Sequence, residues 1–525
     1  MAHDDCPVPR FTHPTRTADL LAALPEVDAL LRAHADSKRI PGMIWGVVVD
    51  GTTVHVATAG VRDLASGAPI GRDTAFRIAS MTKSLTALAV LKLRDEGRLS
   101  LEDDVSRWIP AFGSLPLPTR DTAPITVRQL LTNHAGFAED NPWGDRQLDA
   151  TEAQLDAWLA GGIPFSTPPG TRYEYSNYGW ALLGRIIAAA SGMPYRQYVE
   201  AHLLQPLGMT QSTFEPLDVP DERRAIGYRL TADGRHQEEP PLGHGVFGAM
   251  GGLVTTANDL GRYVGFHLSA WPARDDEDTG PVRRASVREM AHMANLATVS
   301  AGLQGDRVTT SVTGYGFGLR VTADCRFDRS VAHGGGLPGF GSYMAWLPEY
   351  GVGLFAMATL TYSGPHEAVS RAWDVLRATG ALQRRELPVS AALADVRPEL
   401  AALWDQWDYE RIQRIAADNL LLDLPARERE WAVRSLKDEM GACVSVGPMR
   451  PENWLRGQVN LTCERGTVGV FVTLTPTIPP RVQHLAFRKL STADERLSAP
   501  TGPPAGVTCN GSTAATPPAG DQPRP

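Results

Sequence analysis

Two predicted β-hairpins lie near opposite ends of the first 380 residues and limit the folds open to this region. Apolar, β-branched runs at residues 42–49 and 53–59 are joined by Asp50-Gly51, a dipeptide typical of hairpin turns. Similar runs at residues 339–347 and 352–359 are joined by a short connection that ends in glycine. Helical patterns fill the interval. Strands from both ends most economically share one antiparallel sheet with helices packed on it, so the sequence predicts an α+β fold, an α/β sandwich.

Changes in composition divide the 525 residues into segments. Residues 1–16 predict an N-terminal arm, and residues 17–380 contain the predicted α+β domain. Residues 391–495 read first as helices rich in Trp, Asp and Arg and then as strands, which predicts a second, small α+β domain. Residues 499–525 consist mainly of Pro, Gly, Ala, Thr and Ser, so we expect a disordered tail there.

Charge and hydropathy argue against two classes of partner. A formal charge of −8 with no Lys/Arg-rich run predicts no nucleic-acid partner. No apolar stretch reaches the ~18 residues of a membrane-spanning helix, so we expect no membrane partner. The first residues lack the apolar core of a signal peptide, which predicts a cytoplasmic protein. A different start codon would instead permit a periplasmic or secreted one, and the oligomeric state is left open.

The cysteines and histidines form no familiar metal-binding pattern. The five cysteines include no Cys-x-x-Cys and the 13 histidines no His-Glu-x-x-His, so we expect no metal and no cofactor. Cys443 and Cys463 flank predicted neighbouring strands and could meet. In a reducing compartment, two buried thiols are favoured over a disulfide.

The chain contains one Ser-x-x-Lys, formed by Ser80 and Lys83. An extended segment leads into a predicted helix here, so Ser80 would lie at a helix N-terminus, where backbone N–H groups favour negative charge. Lys83 lies about one turn later on the same face. If burial keeps the amine neutral, it can take the serine proton and make Ser80 a nucleophile. The alternative is a helix-capping serine beside a solvated lysine.

The chain also contains one Tyr-x-Asn, formed by Tyr175 and Asn177 in a turn rich in Tyr and Gly. A phenol beside an ammonium can relay a proton between a nucleophile and a leaving group. The asparagine can present its amide to a substrate carbonyl. The alternative is that the tyrosines pack a loop and Asn177 caps the helix predicted at residues 180–190.

A glycine-rich motif, His333-Gly334-Gly335, is followed by Gly336 at a predicted strand. Glycines in a strand let a ligand approach backbone N–H groups, as an oxyanion hole requires. The alternative is an irregular hairpin with a core histidine. Lipases of the α/β-hydrolase fold use a similar string, but upstream of a Gly-x-Ser-x-Gly that this chain lacks.

In this order, the three motifs resemble those of the serine β-lactamase and penicillin-binding-protein superfamily. The branch they resemble includes class C β-lactamases, D-Ala-D-Ala carboxypeptidases and family VIII carboxylesterases. Residues 129–137, 251–260 and 315–319 also resemble segments of that family. The resemblance covers about the first 380 residues. It implies an antiparallel sheet flanked by helices, with an all-helical subdomain.

The resemblance further implies a two-step mechanism through an acyl-enzyme. Ser80 would be the nucleophile and Lys83 its base. Tyr175 would protonate the leaving group and then activate the deacylating water. Asn177 would hold the acyl side chain. The backbone N–H groups of Ser80 and Gly336 would form the oxyanion hole.

The third motif departs from the family pattern. Lactamases and carboxypeptidases usually carry Lys-Thr-Gly, whose lysine and threonine help bind a substrate carboxylate. Histidine at 333 is mostly neutral at pH 7 and Gly334 has no hydroxyl, so both changes weaken binding of an anionic substrate. The sequence therefore favours a carboxylesterase for small or medium acyl esters, with a small-molecule ester or amide as its partner. A β-lactamase, a D-amino-acid peptidase or amidase, and a non-catalytic ligand-binding relative stay open as alternatives.

Two interpretations concern the surroundings of these motifs. Trp143, Trp180 and Phe247 lie near the motifs in sequence or in the intervening segments and are predicted as walls of an acyl pocket. Residues 391–495 faintly resemble the cone-shaped ketosteroid-isomerase-like fold. We interpret them as an accessory domain and assign them no second activity.

Overall fold

The computed structural model describes residues 6–304 and 307–491, which fall into two compact units. The larger unit includes Thr15–Leu382, and the smaller one joins the described residues up to Pro14 with those from Gln383 onward. The tail predicted at 499–525 lies outside the described residues, as do residues 1–5 of the predicted arm. Over the residues described, no helix has both the length and the apolar character needed to span a bilayer.

The larger unit is built around one antiparallel sheet. Its strands are β1 (Gly42–Val49), β2 (Thr52–Asp63), β3 (Ala68–Pro69), β4 (Phe76–Arg77), β5 (Tyr228–Leu230), β6 (His236–Glu238), β7 (Val254–Thr255), β8 (Asn295–Gln304), β9 (Arg307–Tyr315), β10 (Arg320–Asp324), β11 (Ser330–Leu337), β12 (Phe340–Leu347) and β13 (Val352–Ala358). Among the described residues, nine of these form the main sheet in the order β3-β2-β1-β13-β12-β11-β10-β9-β8. The remaining four form two small ribbons, β4 with β7 and β5 with β6.

The two predicted hairpins lie side by side in this sheet. Asp50 and Gly51 both have positive φ, 50° and 83°, which is the geometry of a tight hairpin turn between β1 and β2. Strands β12 and β13 form the second hairpin, and β13 pairs with β1, for example Ala356 with Trp45. The prediction of one antiparallel α+β sheet built from both ends of the region is therefore confirmed.

Helices cover both faces of the sheet. They are α1 (Arg16–Ala22), α2 (Leu24–Ser37), α3 (Thr82–Asp95), α4 (Val127–Leu131), α5 (Asn141–Gly144), α6 (Glu152–Gly161), α7 (Asn177–Ser191), α8 (Tyr195–Val199), α9 (Gly248–Gly251), α10 (Ala257–Ser269), α11 (Arg284–Met290) and α12 (His366–Ala378). Because side chains alternate along a strand, Leu354 joins a core with α2 and α12, whereas Phe355 joins a core with α3, α7 and α10. This layering places the start of α3 and of α7 on the same side of the sheet.

The smaller unit is a separate α+β body with its own apolar core. Its elements are α13 (Ala391–Asp405), α14 (Tyr409–Ile415), α15 (Asp418–Asp423), α16 (Ala426–Met440), β14 (Cys443–Asn453), β15 (Arg456–Cys463), β16 (Gly466–Leu474) and β17 (Val482–Lys489). The strands form an antiparallel sheet in chain order. The resemblance to a cone-shaped fold stays a prediction.

The two cysteines of this sheet are bonded rather than free. Cys443 and Cys463 lie directly opposite each other in β14 and β15 and form a disulfide. The prediction of two buried thiols is therefore wrong. The sequence predicted two neighbouring strands but did not specify their register. The register determines whether two side chains on neighbouring strands face each other, so the pairing could not be predicted.

Candidate active site

Ser80 lies in a tight turn between β4 and α3. Residues Ala79–Met81 form a single 3₁₀ turn that continues directly into α3. Ala79 has a φ of 50°, in the left-handed region that residues with a Cβ rarely adopt. Such strain persists only where the surrounding structure holds it. Ser80 itself is 7% exposed, so its hydroxyl is almost withdrawn from solvent.

Strand β11 packs directly against this turn. A Cβ on Gly335 would lie 2.2 Å from Ile78 O and 2.3 Å from Ser342 Oγ. Ser342 Oγ donates a hydrogen bond of 2.8 Å to Ile78 O, which ties the next strand to the same point. Only glycine permits so close an approach. The glycine-rich motif therefore brings β11 alongside the Ser80 turn.

Lys83 is fully buried and its amine contacts three oxygen atoms. Lys83 Nζ lies 3.0 Å from Ser80 Oγ, 2.7 Å from Asn177 Oδ1 and 2.8 Å from Met250 O. The amide and backbone oxygens can only accept hydrogen bonds. A neutral amine has two N–H donors and one lone pair, so the two acceptors use both donors and leave the lone pair for the Ser80 hydroxyl.

Burial is the main influence on the protonation of Lys83. It lowers the pKa of Lys83 to about 7, against the opposing charges of Asp145 and Asp140. Withdrawal from water disfavours the charged form of an amine, whereas nearby carboxylates favour it. The result is an amine whose neutral form is well populated at neutral pH.

Tyr175 lies beside the serine and the lysine. Lys83 Nζ is 4.9 Å from the centroid of the Tyr175 ring, and the tyrosine is 8% exposed. Burial raises the pKa of Tyr175 above its usual range, and a hydrogen bond with Ser80 and the positive charge of Arg320 oppose this effect in part. The phenol is therefore protonated at neutral pH and placed to exchange a proton with the serine oxygen.

Asn177 is held at the first turn of α7 by an aspartate from a preceding loop. Asp140 Oδ1 accepts from the Asn177 backbone N–H at 2.6 Å, and Asp140 Oδ2 accepts from the N–H of Tyr178 at 2.8 Å. Asn177 Nδ2 donates to Asn141 Oδ1 at 3.1 Å, while its Oδ1 accepts from Lys83. Both ends of the Asn177 amide are thus engaged, and the side chain is fully buried.

His333 is buried in β11 and both ring nitrogens are engaged. Its Nδ1 lies 2.6 Å from Gly334 O and its Nε2 lies 3.0 Å from the hydroxyl of Tyr315. Burial lowers the pKa of His333 to about 3, reinforced by the positive charges of Lys83 and Arg320. The ring is neutral, so Nδ1 donates to the carbonyl and Nε2 accepts from the tyrosine. His333 therefore supports the strand and presents no charge to a ligand.

The neighbouring glycines differ in the space around them. A Cβ on Gly334 would find only ordinary contact, 3.5 Å from the ring of Tyr343. A Cβ on Gly336 would lie 2.5 Å from Cδ1 of Tyr362. Tyr362 is 54% exposed, has a left-handed φ of 54° and donates a 3.0 Å hydrogen bond to Asp145 Oδ2. Tyr362 thus lies over the strand at the position expected to supply an oxyanion donor.

Five residues of this site have no place in the sequence motifs. They come from loops and elements distant in the chain, and each contacts the motif residues or Gly336, or acts on Lys83 through its charge: Asp140, Asp145, Met250, Arg320 and Tyr362. Met250 and Arg320 lie beside the segments at 251–260 and 315–319, which gave the only signal in the sequence. The aspartates and Tyr362 stand in loops without a recognisable pattern.

The three aromatic residues predicted to line an acyl pocket do not come together. Trp143 and Phe247 meet at 5.7 Å between ring centroids, and Trp158 contacts both. Trp143 is 43% exposed. Trp180 is instead fully buried and donates its indole N–H to Asn133 Oδ1. The aromatic cluster therefore consists of Trp143, Trp158 and Phe247, and the prediction that Trp180 belongs to it is wrong.

Comparison with known proteins identifies the family. Residues 27–379, well over half of the chain, match the family model Beta-lactamase. The chain therefore belongs to the Beta-lactamase family. Among the residues the structure describes, no group of three or more His, Cys, Asp or Glu side chains could hold a metal ion.

Relatives and solved structures agree with this assignment. Protein flp of Staphylococcus aureus (strain MW2) is 27% identical over 343 residues, covering 64% of this chain and 63% of that protein. The uncharacterized protein MT1414 of Mycobacterium tuberculosis is 32% identical over 264 residues, covering 45% of this chain and 64% of that protein. The chain thus spans less than two thirds of the length of these relatives.

Two solved structures share the fold. The octameric penicillin-binding protein homologue from Pyrococcus abyssi superposes with a TM-score of 0.55 at 22% identity, covering 89% of this chain and 94% of that one. A class C β-lactamase superposes with a TM-score of 0.53 at 22% identity, covering 68% of this chain and 96% of that one. Both superpositions agree with the fold described above.

Proposed function

We propose that the protein is a carboxylesterase for small or medium acyl esters that works through a Ser80 acyl-enzyme. The arrangement of Lys83 carries the proposal. Its amine is fully buried, has a pKa near 7, and directs its remaining lone pair at Ser80 Oγ from 3.0 Å. A base held in this way against a hydroxyl is what activation of a serine nucleophile requires.

Acylation begins with proton transfer from Ser80 to Lys83. The serine oxygen attacks the ester carbonyl, and the backbone N–H groups of Ser80 and Gly336 stabilise the negative charge on the carbonyl oxygen. The phenol of Tyr175, hydrogen-bonded to Ser80, passes a proton to the departing alcohol and is reprotonated from Lys83. The ester C–O bond breaks, the alcohol leaves, and the acyl group stays on Ser80.

Deacylation runs the same path in reverse with water as the nucleophile. Tyr175 and Lys83 take a proton from the water, which attacks the acyl carbon in the same oxyanion hole. The carboxylic acid leaves and the proton returns to Ser80. Nothing in this sequence of steps requires Asn177 to move, because its amide keeps Lys83 in place throughout.

The preference for neutral esters rests on the third motif. His333 is neutral and has both nitrogens engaged within the protein, so it offers a substrate carboxylate neither charge nor a free donor. Gly334 contributes no hydroxyl. A carboxylate entering beside β11 would lose its hydration without a strong replacement from this motif.

Arg320 favours a second candidate, a β-lactamase or a peptidase acting on D-amino acids. Its guanidinium lies 6.0 Å from the ring centroids of Tyr173 and Tyr175, and its side chain is exposed. Across residues 6–304 and 307–491 it forms no ion pair. A free guanidinium at this place could bind a substrate carboxylate in a bidentate manner and stand in for the missing lysine.

Mass spectrometry of the intact protein tests the proposal. After brief incubation with p-nitrophenyl butyrate, the wild type should release nitrophenol or carry a butyryl adduct, and Ser80→Ala should do neither. Nitrocefin, which carries a carboxylate, serves as the second substrate. Faster nitrocefin opening than ester hydrolysis would favour the lactamase. No adduct and no turnover with either compound would favour a non-catalytic ligand-binding protein.

A further inference from the structure

Asp145 is a buried carboxylate with one unused oxygen. It is 2% exposed, and its Oδ2 accepts the hydrogen bond from the Tyr362 hydroxyl. Its Oδ1 is also buried, and no described residue donates a hydrogen bond to it. Burying a carboxylate without a partner for each oxygen is unfavourable, because water is lost and nothing replaces it. A hydrogen-bond donor on a bound ligand would therefore be stabilised at Asp145 Oδ1.

Two contacts place Asp145 beside the residues of the proposed chemistry. Gly144, the preceding residue, lies against Asn177, since a Cβ there would be 2.9 Å from Asn177 Cβ. Tyr362 joins Asp145 to the other side of the site, because its ring covers Gly336. Asp145 therefore follows a residue that packs on Asn177, the side chain that holds Lys83, and Tyr362 joins it to the strand expected to hold the carbonyl oxygen.

The charges around Asp145 are mostly negative. Besides Lys83, the charged groups that act on its carboxyl are Asp140 and Glu139. The Lys83 amine is engaged by its own three partners, and Arg146, the next residue, pairs with Glu239. Arg320, which forms no ion pair within the described part of the chain, lies against the rings of Tyr173 and Tyr175. A positive group on the acyl part of a substrate would thus meet attraction here.

We propose that Asp145 binds the α-ammonium group of the acyl part of the substrate, so that the esters hydrolysed are aminoacyl esters. The inference rests on the esterase function proposed above. Ser80 Oγ forms a bond to the aminoacyl carbonyl carbon, the alcohol leaves with one proton, and water then releases the free amino acid. The ammonium donates a hydrogen bond to Asp145 Oδ1 and keeps its own protons throughout.

A pair of isosteric esters isolates the contribution of the ammonium. Ethyl isobutyrate has the shape of alanine ethyl ester, with a methyl group in place of the ammonium. At about pH 7 the α-amino group of the alanine ester is largely protonated. We expect the wild type to prefer D- or L-alanine ethyl ester over ethyl isobutyrate by about 10- to 100-fold in kcat/KM, the range for a hydrogen bond to a charged group.

Asp145→Asn tests the residue. The amide keeps the size of the side chain and an acceptor for Tyr362, so hydrolysis of ethyl isobutyrate reports that the variant is folded. We expect the ratio of alanine to isobutyrate kcat/KM to fall to about 1. Any change in the basicity of Lys83 affects both esters alike and cancels in the ratio. Glu139→Gln is the matched control, since it removes an exposed charge from the same loop and should keep the ratio within about twofold.

The outcomes separate the two proposals. A wild type that hydrolyses both esters equally overturns the inference and leaves the esterase function intact. The inference is also overturned if Asp145→Asn lowers kcat/KM for both esters by the same factor. Asp145 would then be a positioning residue for Lys83, and the esterase function would stand. A wild type that hydrolyses neither ester, nor p-nitrophenyl butyrate, contradicts the esterase function itself.

Discussion

At the scale of single residues, the chemistry depends on how Lys83 is surrounded. Ser80, Asn177 and Met250 each place one oxygen atom within hydrogen-bond distance of its amine. The Ser80–Lys83 relation follows from helix geometry, because residues three apart lie on one face. The other two partners are separated from Lys83 by 94 and 167 positions, so local pattern could not reveal them.

The pKa of Lys83 predicts the pH dependence of activity. Because the neutral amine is the base and its pKa is about 7, kcat/KM for a neutral ester should rise about tenfold per pH unit below pH 7 and level off above it. Lys83→Arg should lower kcat/KM by at least about 100-fold at every pH, because a guanidinium stays protonated.

A second lysine of the same helix supplies the control for this measurement. Lys92 lies on α3 and pairs with Glu96 near the surface, so Lys92→Arg should keep both the rate and the pH profile. Initial rates between pH 5 and 9 give the profiles. A wild-type profile without an inflection near pH 7, or activity retained in Lys83→Arg, would argue against lysine as the base.

At the scale of elements, the site depends on the approach of β11 to the turn before α3. Gly335 of β11 pairs with Ser342 of β12, and the Ser342 hydroxyl donates a hydrogen bond to Ile78 O in the turn. This pairing and this hydrogen bond hold both strands against the turn. The glycine motif was predicted to permit close backbone approach. The structure shows that the close approach at Gly335 is to the protein's own turn, whereas a Cβ on Gly334 would meet only ordinary contacts.

Substitution of these two glycines should separate their roles. Gly335→Ala would place a Cβ 2.2 Å from Ile78 O and force β11 away from Ser80, so we expect a loss of about 100-fold or more in kcat/KM. Gly334→Ala meets nothing closer than 3.5 Å and should lose clearly less. Steady-state kinetics with p-nitrophenyl butyrate, together with circular dichroism, make the comparison. Equal losses in both variants would contradict this assignment.

At the scale of the whole molecule, the two units have separate apolar cores. The clusters of the larger unit draw their residues from Leu20 to Leu382, and the cluster of the smaller unit draws its residues from Leu393 to Leu485. Every predicted site residue belongs to the larger unit. A domain with its own core and its whole site can in principle fold and act alone.

A fragment of residues 15–382 tests this independence. We expect it to fold cooperatively and to hydrolyse p-nitrophenyl butyrate with a kcat/KM within about threefold of the full chain, because no residue of the proposed chemistry is removed. Calorimetry and kinetics on the fragment give the answer. A folded but inactive fragment would mean that the larger unit acts only together with the smaller one.

Local patterns in the sequence were sufficient for the class of fold and for the family. Hairpin turns, strand alternation and a helix that places Lys83 one turn after Ser80 depend on interactions between near neighbours, which the order of residues specifies directly. The tertiary structure alone decided which distant groups meet. It paired Cys443 with Cys463, replaced Trp180 by Trp158, engaged both nitrogens of His333, and brought Asp140, Asp145 and Arg320 to the site. These contacts depend on strand register and on the packing of whole elements, and neither is encoded within any short stretch of chain.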